Sequence, residues 1–327
     1  MVFYEQSEFS DADNCFNCPV VSGYADVIRS VIDPAGRHNT PFDMPAFTFE
    51  NLTLLRRGIR RYLRSLGISS RTIRSAFRKA LEAQAQFKRE LRVLGEQILE
   101  NAQAHGRPVI LLLGRPYHID PLINHKIPDI LMNFGMDVLT EDSVPLAPDQ
   151  KLENRHVMTQ WEFVNRYYHA VRWAAQQENV EVVQLNSFGC GPDAYILEEV
   201  RAILAEHGKN ITVLRIDEIE SPGSTRLRLR SMAESLKHKK VTRTYTPRKT
   251  TKIYELEDRR RTVIVPDFSP FCSPPITQPF VEMGYKIVTL PPADRASVEV
   301  GLKYTNNEIC SPAIVCLGDL SKALQSG

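Results

Sequence analysis

The strongest constraint on the fold is an alternation of short apolar runs with helical stretches between residues 107 and 237. The run Val109 to Leu113 is apolar throughout, which is typical of a parallel strand buried on both faces. Further strands are predicted near Met136 to Leu139, at Val180 to Leu185 and at Ile211 to Ile216, and helices are predicted around Ile127 to Phe134, Gln160 to Gln176, Tyr195 to His207 and Arg226 to Leu236. This order predicts an α/β fold with a Rossmann-like, doubly wound parallel sheet and right-handed crossovers.

The flanking segments predict a helical insertion before this domain and a second, partial α/β unit after it. The long helix of the insertion is expected to end near Ala104. We therefore divide the chain into an irregular N-terminal segment with a cysteine motif (1–46), a helical region (47–106), a Rossmann-like domain (107–237), a basic linker (238–260) and the second unit (261–327).

Composition narrows the class of protein. A chain of 327 residues with 43% hydrophobic content is long enough for two or three domains with their own cores. The net charge of +2 gives no global preference for nucleic acid or membrane. Apolar runs of about 18 residues are absent, and the N-terminus lacks the pattern of a signal peptide. We therefore expect a cytoplasmic protein with no membrane partner.

Three cysteines lie beside Pro or Gly and ahead of a predicted helix, namely Cys18, Cys190 and Cys310. Helix N-termini favour the thiolate form of cysteine and suit a thiolate metal ligand. Judged on its own segment, Cys190 is equally well interpreted as a small buried thiol. Because the three are far apart in the sequence, an iron–sulfur cluster held by them would be assembled from different domains.

The remaining cysteines carry weaker signals. Cys15 and Cys18 form a Cys-x-x-Cys pair, which is compatible with half of a zinc site or with a redox pair. No second pair at zinc-finger spacing exists, so zinc is the minority interpretation. Cys272, among prolines, and Cys316, inside an apolar strand-like run, are expected to be structural.

Polar residues follow the predicted strands. Arg115 and His118 follow the first strand, Glu141 follows the second, and Ser187 follows the third. Ligands of open α/β sheets bind at the carboxyl ends of strands, so we expect these four residues to line a substrate cleft. For Arg115 and His118 the alternative, which we rank slightly ahead, is that they satisfy backbone groups at a tight turn.

Positive charge is concentrated in the helical region. It comes from Arg56, Arg57, Arg60, Arg61, Arg64, Arg71, Arg74, Arg78 and Lys79. Such a surface is able to meet phosphates, although most charged helix faces are merely solvated. Because no helix-turn-helix, zinc finger or aromatic platform supports base reading, we expect no nucleic-acid partner.

Five segments carry a family resemblance: Phe16 to Pro19, Leu113 to His118, Leu139 to Ser143, Val183 to Ala194 and Asn306 to Cys310. The chain resembles the 2-hydroxyacyl-CoA dehydratase and double-cubane cluster family, in its activase-related branch, over most of residues 10 to 320. The resemblance implies two Rossmann-like domains that hold an oxygen-sensitive four-iron four-sulfur or double-cubane cluster on cysteine thiolates. It makes Cys18 and Cys190 ligands of one cluster, while Cys310 matches the early ligand motif of a following module.

The function implied by the resemblance is that of a redox component. An ATP-dependent activator, as a partner or a fused ATPase domain, delivers low-potential electrons that pass to an acyl-CoA or similar substrate. The chain has no Walker A loop, so the ATP chemistry is expected in a partner or in an absent region. An enzymatic role, if present, is that of a component of a dehydratase (a lyase) or of an ATP-dependent reductase.

The resemblance also leaves questions of organisation open. The family's first half-domain before Cys18 is missing and the second unit stops just beyond Cys310, so we expect a piece of a longer protein; a homodimer stays open. The alternative function is a non-catalytic binding or scaffold module. In that case the interdomain cleft is empty and the basic helices bind a partner or a phosphate-bearing ligand.

Overall fold

The computed structural model describes residues 1–145, 158–187, 190–216, 222–238, 245–247, 254–306 and 309–326. Its strands are β1 (Val2–Tyr4), β2 (Phe47–Thr48), β3 (Val109–Leu113), β4 (Asp137–Thr140), β5 (Val180–Ser187), β6 (Ile211–Ile216), β7 (Thr262–Val265) and β8 (Lys286–Thr289). Its helices are α1 (Pro19–Val31), α2 (Pro34–His38), α3 (Leu52–Ser65), α4 (Ser70–Ala104), α5 (Ile127–Asn133), α6 (Glu162–Gln176), α7 (Gly191–Glu206), α8 (Pro222–Lys237), α9 (Ser273–Glu282), α10 (Arg295–Tyr304) and α11 (Ser311–Ser326). Most of the predicted basic linker lies outside the described residues, as do Phe188 and Gly189 of the Cys190 segment and Asn307 and Glu308 before Cys310. Among the described helices, none combines the length and the apolar character needed to cross a membrane.

The chain forms two compact units. The first comprises Met1–Leu185, Val200–Leu214 and Ile219–Thr246. The second comprises Asn186–Glu199, Arg215–Glu218 and Pro247–Gly327. The end of β5, Cys190 and the first turns of α7 therefore belong to the same unit as the last quarter of the chain.

A four-stranded parallel sheet is the centre of the α/β architecture, as predicted. Its strand order is β4-β3-β5-β6. Val109 of β3 lies opposite Asp137 of β4 on one side and opposite Val180 of β5 on the other. All five residues of β3 are buried, which explains why its sequence is apolar throughout. The chain leaves β3 in one direction to form β4 and returns on the other side as β5, which is the arrangement that opens a crevice at the carboxyl ends of strands.

The helical insertion forms a hairpin of α3 and α4. The Asn51 side chain caps α3 by accepting from the N–H groups of Thr53 and Leu54, and Ser69 Oγ accepts from the Thr72 N–H to cap α4. Helix α4 ends at Ala104, as predicted. Its C-terminal half packs closely on the loop after β4, because a Cβ at Gly95 would overlap the Ser143 carbonyl oxygen.

The N-terminal segment is more ordered than the sequence predicts. Strand β1 pairs with β2, and Phe16 forms a bridge with Tyr4 and another with Trp161, next to the start of α6. Within this segment, α1 begins at Pro19, directly after Cys18, because proline suits the first turn of a helix.

The second unit contains the parallel pair β7 and β8 together with α9, α10 and α11. The prediction of a strand-like run around Cys316 is wrong, since Cys316 lies inside α11. A short apolar run fits a buried helix as well as a strand, and here packing against α10 favours the helix. Helix α7 likewise begins at Gly191, before the predicted start at Tyr195.

Candidate functional site

The three predicted thiolate ligands each lie directly before a helix. Cys18 precedes α1, Cys190 precedes α7, and Cys310 precedes α11. None of the six cysteines, all of which the structure describes, forms a disulfide. The first turn of each helix directs backbone N–H groups toward its preceding residue, a local environment that stabilises negative charge.

Two of these cysteines lie in the second unit, and Cys310 lies next to the residue that follows Cys190. A Cβ built on Gly191, the residue after Cys190, would lie 3.4 Å from the Cys310 Cβ and 3.7 Å from its Sγ. The start of α11 therefore lies close to the start of α7, although the two are 120 positions apart in the chain.

Hydrogen bonds connect the same two segments. The Asn306 side-chain Nδ2 donates to the Ala194 carbonyl at 3.0 Å and to Glu198 Oε1 at 3.2 Å. On the α7 side, the Ser187 N–H donates to Asp193 Oδ2 at 3.2 Å, and the Cys190 N–H donates to the Ser187 carbonyl. Asp193 in the first turn of α7 is therefore hydrogen-bonded to Ser187 at the end of β5, and Ser187, a predicted cleft residue, is half-buried.

Helix α11, which carries Cys310 at its start, is closely packed on α10. A Cβ at Gly318 would overlap the Ser297 carbonyl oxygen, and one at Gly301 would overlap that of Ile314. The Asp319 carboxylate accepts from Ser297 Oγ, and Lys322 Nζ lies 2.6 Å from Asp294 Oδ1. The bond from Lys322 lowers the pKa of the Asp294 carboxyl to about 2.

Cys18 and Cys15 belong to the first unit. The Cys18 N–H donates to the Asn17 side chain at 2.8 Å, and the side chain of Cys18 is half-buried. Cys15 is buried, and burial together with the charges of Glu50 and Glu162 raises the pKa of its thiol to about 11. A thiol with so high a pKa is protonated at neutral pH when no metal is bound. Over the described ranges, no group of three or more His, Cys, Asp or Glu side chains is arranged to hold a metal ion.

The first unit also contains a pocket of about 410 Å³. It lies at the carboxyl ends of β3 and β4, between α4, α6 and the N-terminal segment. Its lining is Val2, Glu5, Gln6, Glu8, Phe9, Asn17, Phe49, Gln84, Phe87, Lys88, Leu91, Arg92, Pro116, Ile119, Glu141, Asp142, Glu162, Arg166 and His169. Its volume falls within the usual range for small-molecule sites.

Glu141 is the predicted cleft residue that lines this pocket. Burial, and next the charge of Asp142, raise the pKa of its carboxyl to about 8, although the charge of Arg166 lowers it. Among the described residues, no cation lies within ion-pair distance of this carboxyl. Glu141 is therefore mostly protonated at neutral pH, which makes it a hydrogen-bond donor.

The other charged groups of the pocket were not found by sequence reasoning. Glu8 accepts from Lys88 and from Arg92, each at 2.6 Å, and Arg166 lies 3.1 Å from Glu5. Burial lowers the pKa of His169 to about 4, so its imidazole is neutral. These partners are separated by 80 to 161 positions in the chain, and no local pattern marks them.

Arg115 and His118 are placed behind the pocket surface, and both are only 3% exposed. The Arg115 guanidinium lies 3.8 Å from the centre of the Phe163 ring, and the Arg115 N–H donates to His118 Nδ1 at 2.9 Å. The Asn124 side chain donates to the His118 carbonyl. The His118 ring thus stabilises the turn after β3, whereas the Arg115 side chain packs on Phe163, and Pro116 and Ile119 of that turn line the pocket.

Comparison with known proteins adds one similarity. No curated protein and no solved structure matches the chain. A family model matches residues 1–144, which run from β1 to the residues after β4 and include Cys18, Arg115, His118 and Glu141. Cys190 and Cys310 lie outside the matched range. Residues 1–144 are thus similar to the CoA enzyme activase uncharacterised domain (DUF2229), a domain associated with CoA enzyme activases.

Proposed function

We propose that the protein is an iron–sulfur-binding redox component of a CoA enzyme activase system, with Cys190 and Cys310 as thiolate ligands. The observation that carries the proposal is the contact between Cys310 and the backbone at Gly191. In this system an ATP-dependent activator is the electron source, and an acyl-CoA or a similar compound is the electron acceptor. The similarity of residues 1–144 to an activase-associated domain supports this context.

The donor chemistry fits an iron–sulfur group in kind. Such clusters are held mainly by cysteine thiolates, most often four, and the proposal is supported by the position of Cys310 next to Gly191, the residue after Cys190. When bound, the cluster supplies one-electron chemistry at low potential. The chain's own contribution is to place two thiols at helix N-termini, where backbone N–H groups stabilise negative charge. Cys18 is retained as a predicted ligand on the resemblance alone.

The test is anaerobic reconstitution of the full chain with iron and sulfide, followed by iron and sulfide analysis and EPR. We expect Cys190→Ala and Cys310→Ala to lose most of the bound iron. Cys272→Ala is the matched control, because Cys272 is an exposed cysteine that also precedes a helix in the second unit. Iron-free wild type after reconstitution, or equal loss in Cys272→Ala, would contradict the proposal. Cys18→Ala tests the third predicted ligand in the same assay.

The pocket around Glu141 is proposed as the acyl-CoA site of the first unit. A carboxyl that is protonated at neutral pH is able to donate a hydrogen bond to a thioester carbonyl. Isothermal titration of the cluster-free protein with butyryl-CoA and with CoA measures this. We expect Glu141→Ala to weaken binding of butyryl-CoA several-fold and to leave CoA binding unchanged. An equal effect on both ligands, or no binding of butyryl-CoA, would contradict this assignment.

A further inference from the structure

The hairpin of α3 and α4 carries an uninterrupted block of positive charge. Residues 51–81 contain eight arginines, one lysine and no acidic residue. All nine cationic side chains are exposed. Each set of cations, from Arg56 to Arg64 on α3 and from Arg71 to Lys79 on α4, spans about 12 Å of helix axis at 1.5 Å per residue.

Two contacts fix how the helices face each other. Arg64 donates to Ser70 Oγ at 3.1 Å near the turn of the hairpin, and the Arg56 guanidinium lies 5.7 Å from the centre of the Phe77 ring further along. Arg60 and Arg74 lie between these contacts, at the same level of the hairpin. The arginines of both helices therefore form one basic surface, the arginine hairpin, and not two separate ones.

The charge of the arginine hairpin is almost uncompensated. Within the described residues, Arg78 is the one member of the nine with an acidic partner, Glu82, at 2.9 Å. Like charges at helical spacing destabilise a helix by a few tenths of a kcal/mol each. An acidic partner removes that repulsion on binding.

The rest of the first unit indicates what kind of partner fits. Apart from these nine, the first unit has 21 basic and 25 acidic side chains, a net charge of −4. A long polyanion that extends past the hairpin over the first unit would meet this net negative charge, whereas a compact acidic partner would not need to. Electrostatic repulsion of this kind acts over a Debye length of about 8 Å at physiological salt.

Apolar side chains lie among the arginines. Leu54 is 50% exposed at one end of α3, and Leu66 is 54% exposed just after its other end. Leu54 lies three and seven positions before Arg57 and Arg61, so the three share one stripe of the helix. Exposed apolar residues next to arginine, with lysine nearly absent, are typical of a protein interface. Insertion into a membrane is less favoured, because Leu55, the next residue along α3, is buried and holds the helix against the rest of the protein.

We propose that the arginine hairpin is a docking surface for an acidic protein, whose carboxylates meet the arginines while its apolar side chains contact Leu54 and Leu66. This inference goes beyond the proposed redox function and does not depend on a bound cluster. It concerns the first unit alone.

Fluorescence anisotropy with the cluster-free full chain tests whether the arginine hairpin binds an acidic protein. The probes are two labelled peptides and a single-stranded oligonucleotide of the same charge. The peptides have equal length and equal glutamate content, and their remaining positions are leucine in one and serine in the other. We expect the leucine-containing peptide to bind most tightly and to weaken with salt. Arg57→Gln with Arg61→Gln is expected to weaken it roughly tenfold, and Leu54→Ser several-fold.

The matched control is Arg226→Gln with Arg230→Gln, which removes the same charge from exposed positions on α8. We expect this pair to leave peptide binding unchanged. Tighter binding of the oligonucleotide than of the leucine peptide would overturn the proposal in favour of a phosphate polymer. Absence of peptide binding, or an equal effect of the control pair, would overturn it as well.

Discussion

Cys310 lies against Gly191, so that a single added methyl group on Gly191 would touch the Cys310 sulfur at 3.7 Å. Because every other residue type has a Cβ, only glycine at position 191 leaves this side of the Cys310 thiol open. The relationship joins two segments that the sequence separates widely, and it is the central feature of the candidate site.

Gly191→Ala is predicted to fold and to shield the Cys310 thiol. The added Cβ is at ordinary contact distance, and alanine is favoured over glycine in a helix by up to about 1 kcal/mol. We expect alkylation of Cys310 by iodoacetamide to slow several-fold, as measured by mass spectrometry, while Cys272 reacts at its wild-type rate. Gly223→Ala, in the first turn of α8 with open space around it, is the control. An unchanged rate at Cys310 would show that the two segments do not meet in solution.

Asn306→Leu is predicted to loosen the connection between the Cys310 segment and α7. The variant loses the hydrogen bonds to the Ala194 carbonyl and Glu198, which together contribute about 1–3 kcal/mol. We expect diamide to form a Cys190–Cys310 disulfide more slowly in the variant than in wild type, as followed by peptide mapping. Gln278→Leu, which removes an exposed amide from α9 in the same unit, should react like wild type. A wild-type rate in Asn306→Leu would contradict the positioning role.

Gly318→Ala is predicted to destabilise the second unit. The new Cβ would overlap the Ser297 carbonyl, so α10 and α11 must separate, at a cost of about 1–3 kcal/mol for overpacking. Urea unfolding followed by the exposure of Cys316, which lies in α11, measures the loss. If the variant is as stable as wild type, the close packing of these helices is not present in solution.

Glu141 is predicted to make the first unit less stable as the pH rises from about 4.5 to about 8. In this range the folded state keeps the proton on the raised-pKa carboxyl and the unfolded state has lost it, so the folded state binds more protons. Relative to Glu141→Gln, which imitates the protonated carboxyl, the stability of wild type should fall with a slope of up to about 1.4 kcal/mol per pH unit. Urea unfolding of both proteins at several pH values tests this, and a constant difference would refute the raised pKa of Glu141.

His169 is predicted to have the opposite effect over a lower range. Its pKa is lowered to about 4, so between about 4 and 6.5 the unfolded state binds more protons, and stability rises with pH. Relative to His169→Asn, the free energy of unfolding of wild type should increase from about pH 4 to about pH 6.5 and stay constant above that pH. In the wild type, the gain in stability due to His169 and the loss due to Glu141 oppose each other up to about pH 6.5. Above that pH only the loss due to Glu141 remains, so stability should fall. A difference that stays constant with pH would show that burial does not lower the pKa of His169, and a difference that falls with pH would show that this pKa is raised.

Local sequence patterns predicted much of the fold. The apolar run Val109 to Leu113 is a buried strand because each of its positions faces an apolar layer, and helix α4 ends where His105 and Gly106 interrupt the pattern. The positions of Cys18, Cys190 and Cys310 ahead of helices also follow from local signals, since Pro and Gly mark where helices begin. The placement of Cys316 failed because a short apolar run is compatible with both a strand and a helix, and only contact with α10 distinguishes them.

The sequence by itself therefore determined the α/β architecture and the helical insertion, because these depend on near neighbours in the chain. Tertiary structure alone decided that Cys310 meets the Cys190 segment, that Arg115 and His118 are buried, and that Glu5, Glu8, Arg166 and His169 join Glu141 around one pocket. These facts depend on contacts between positions that are far apart in the chain. Such contacts are made by packing and by long-range hydrogen bonds, and no local pattern encodes them.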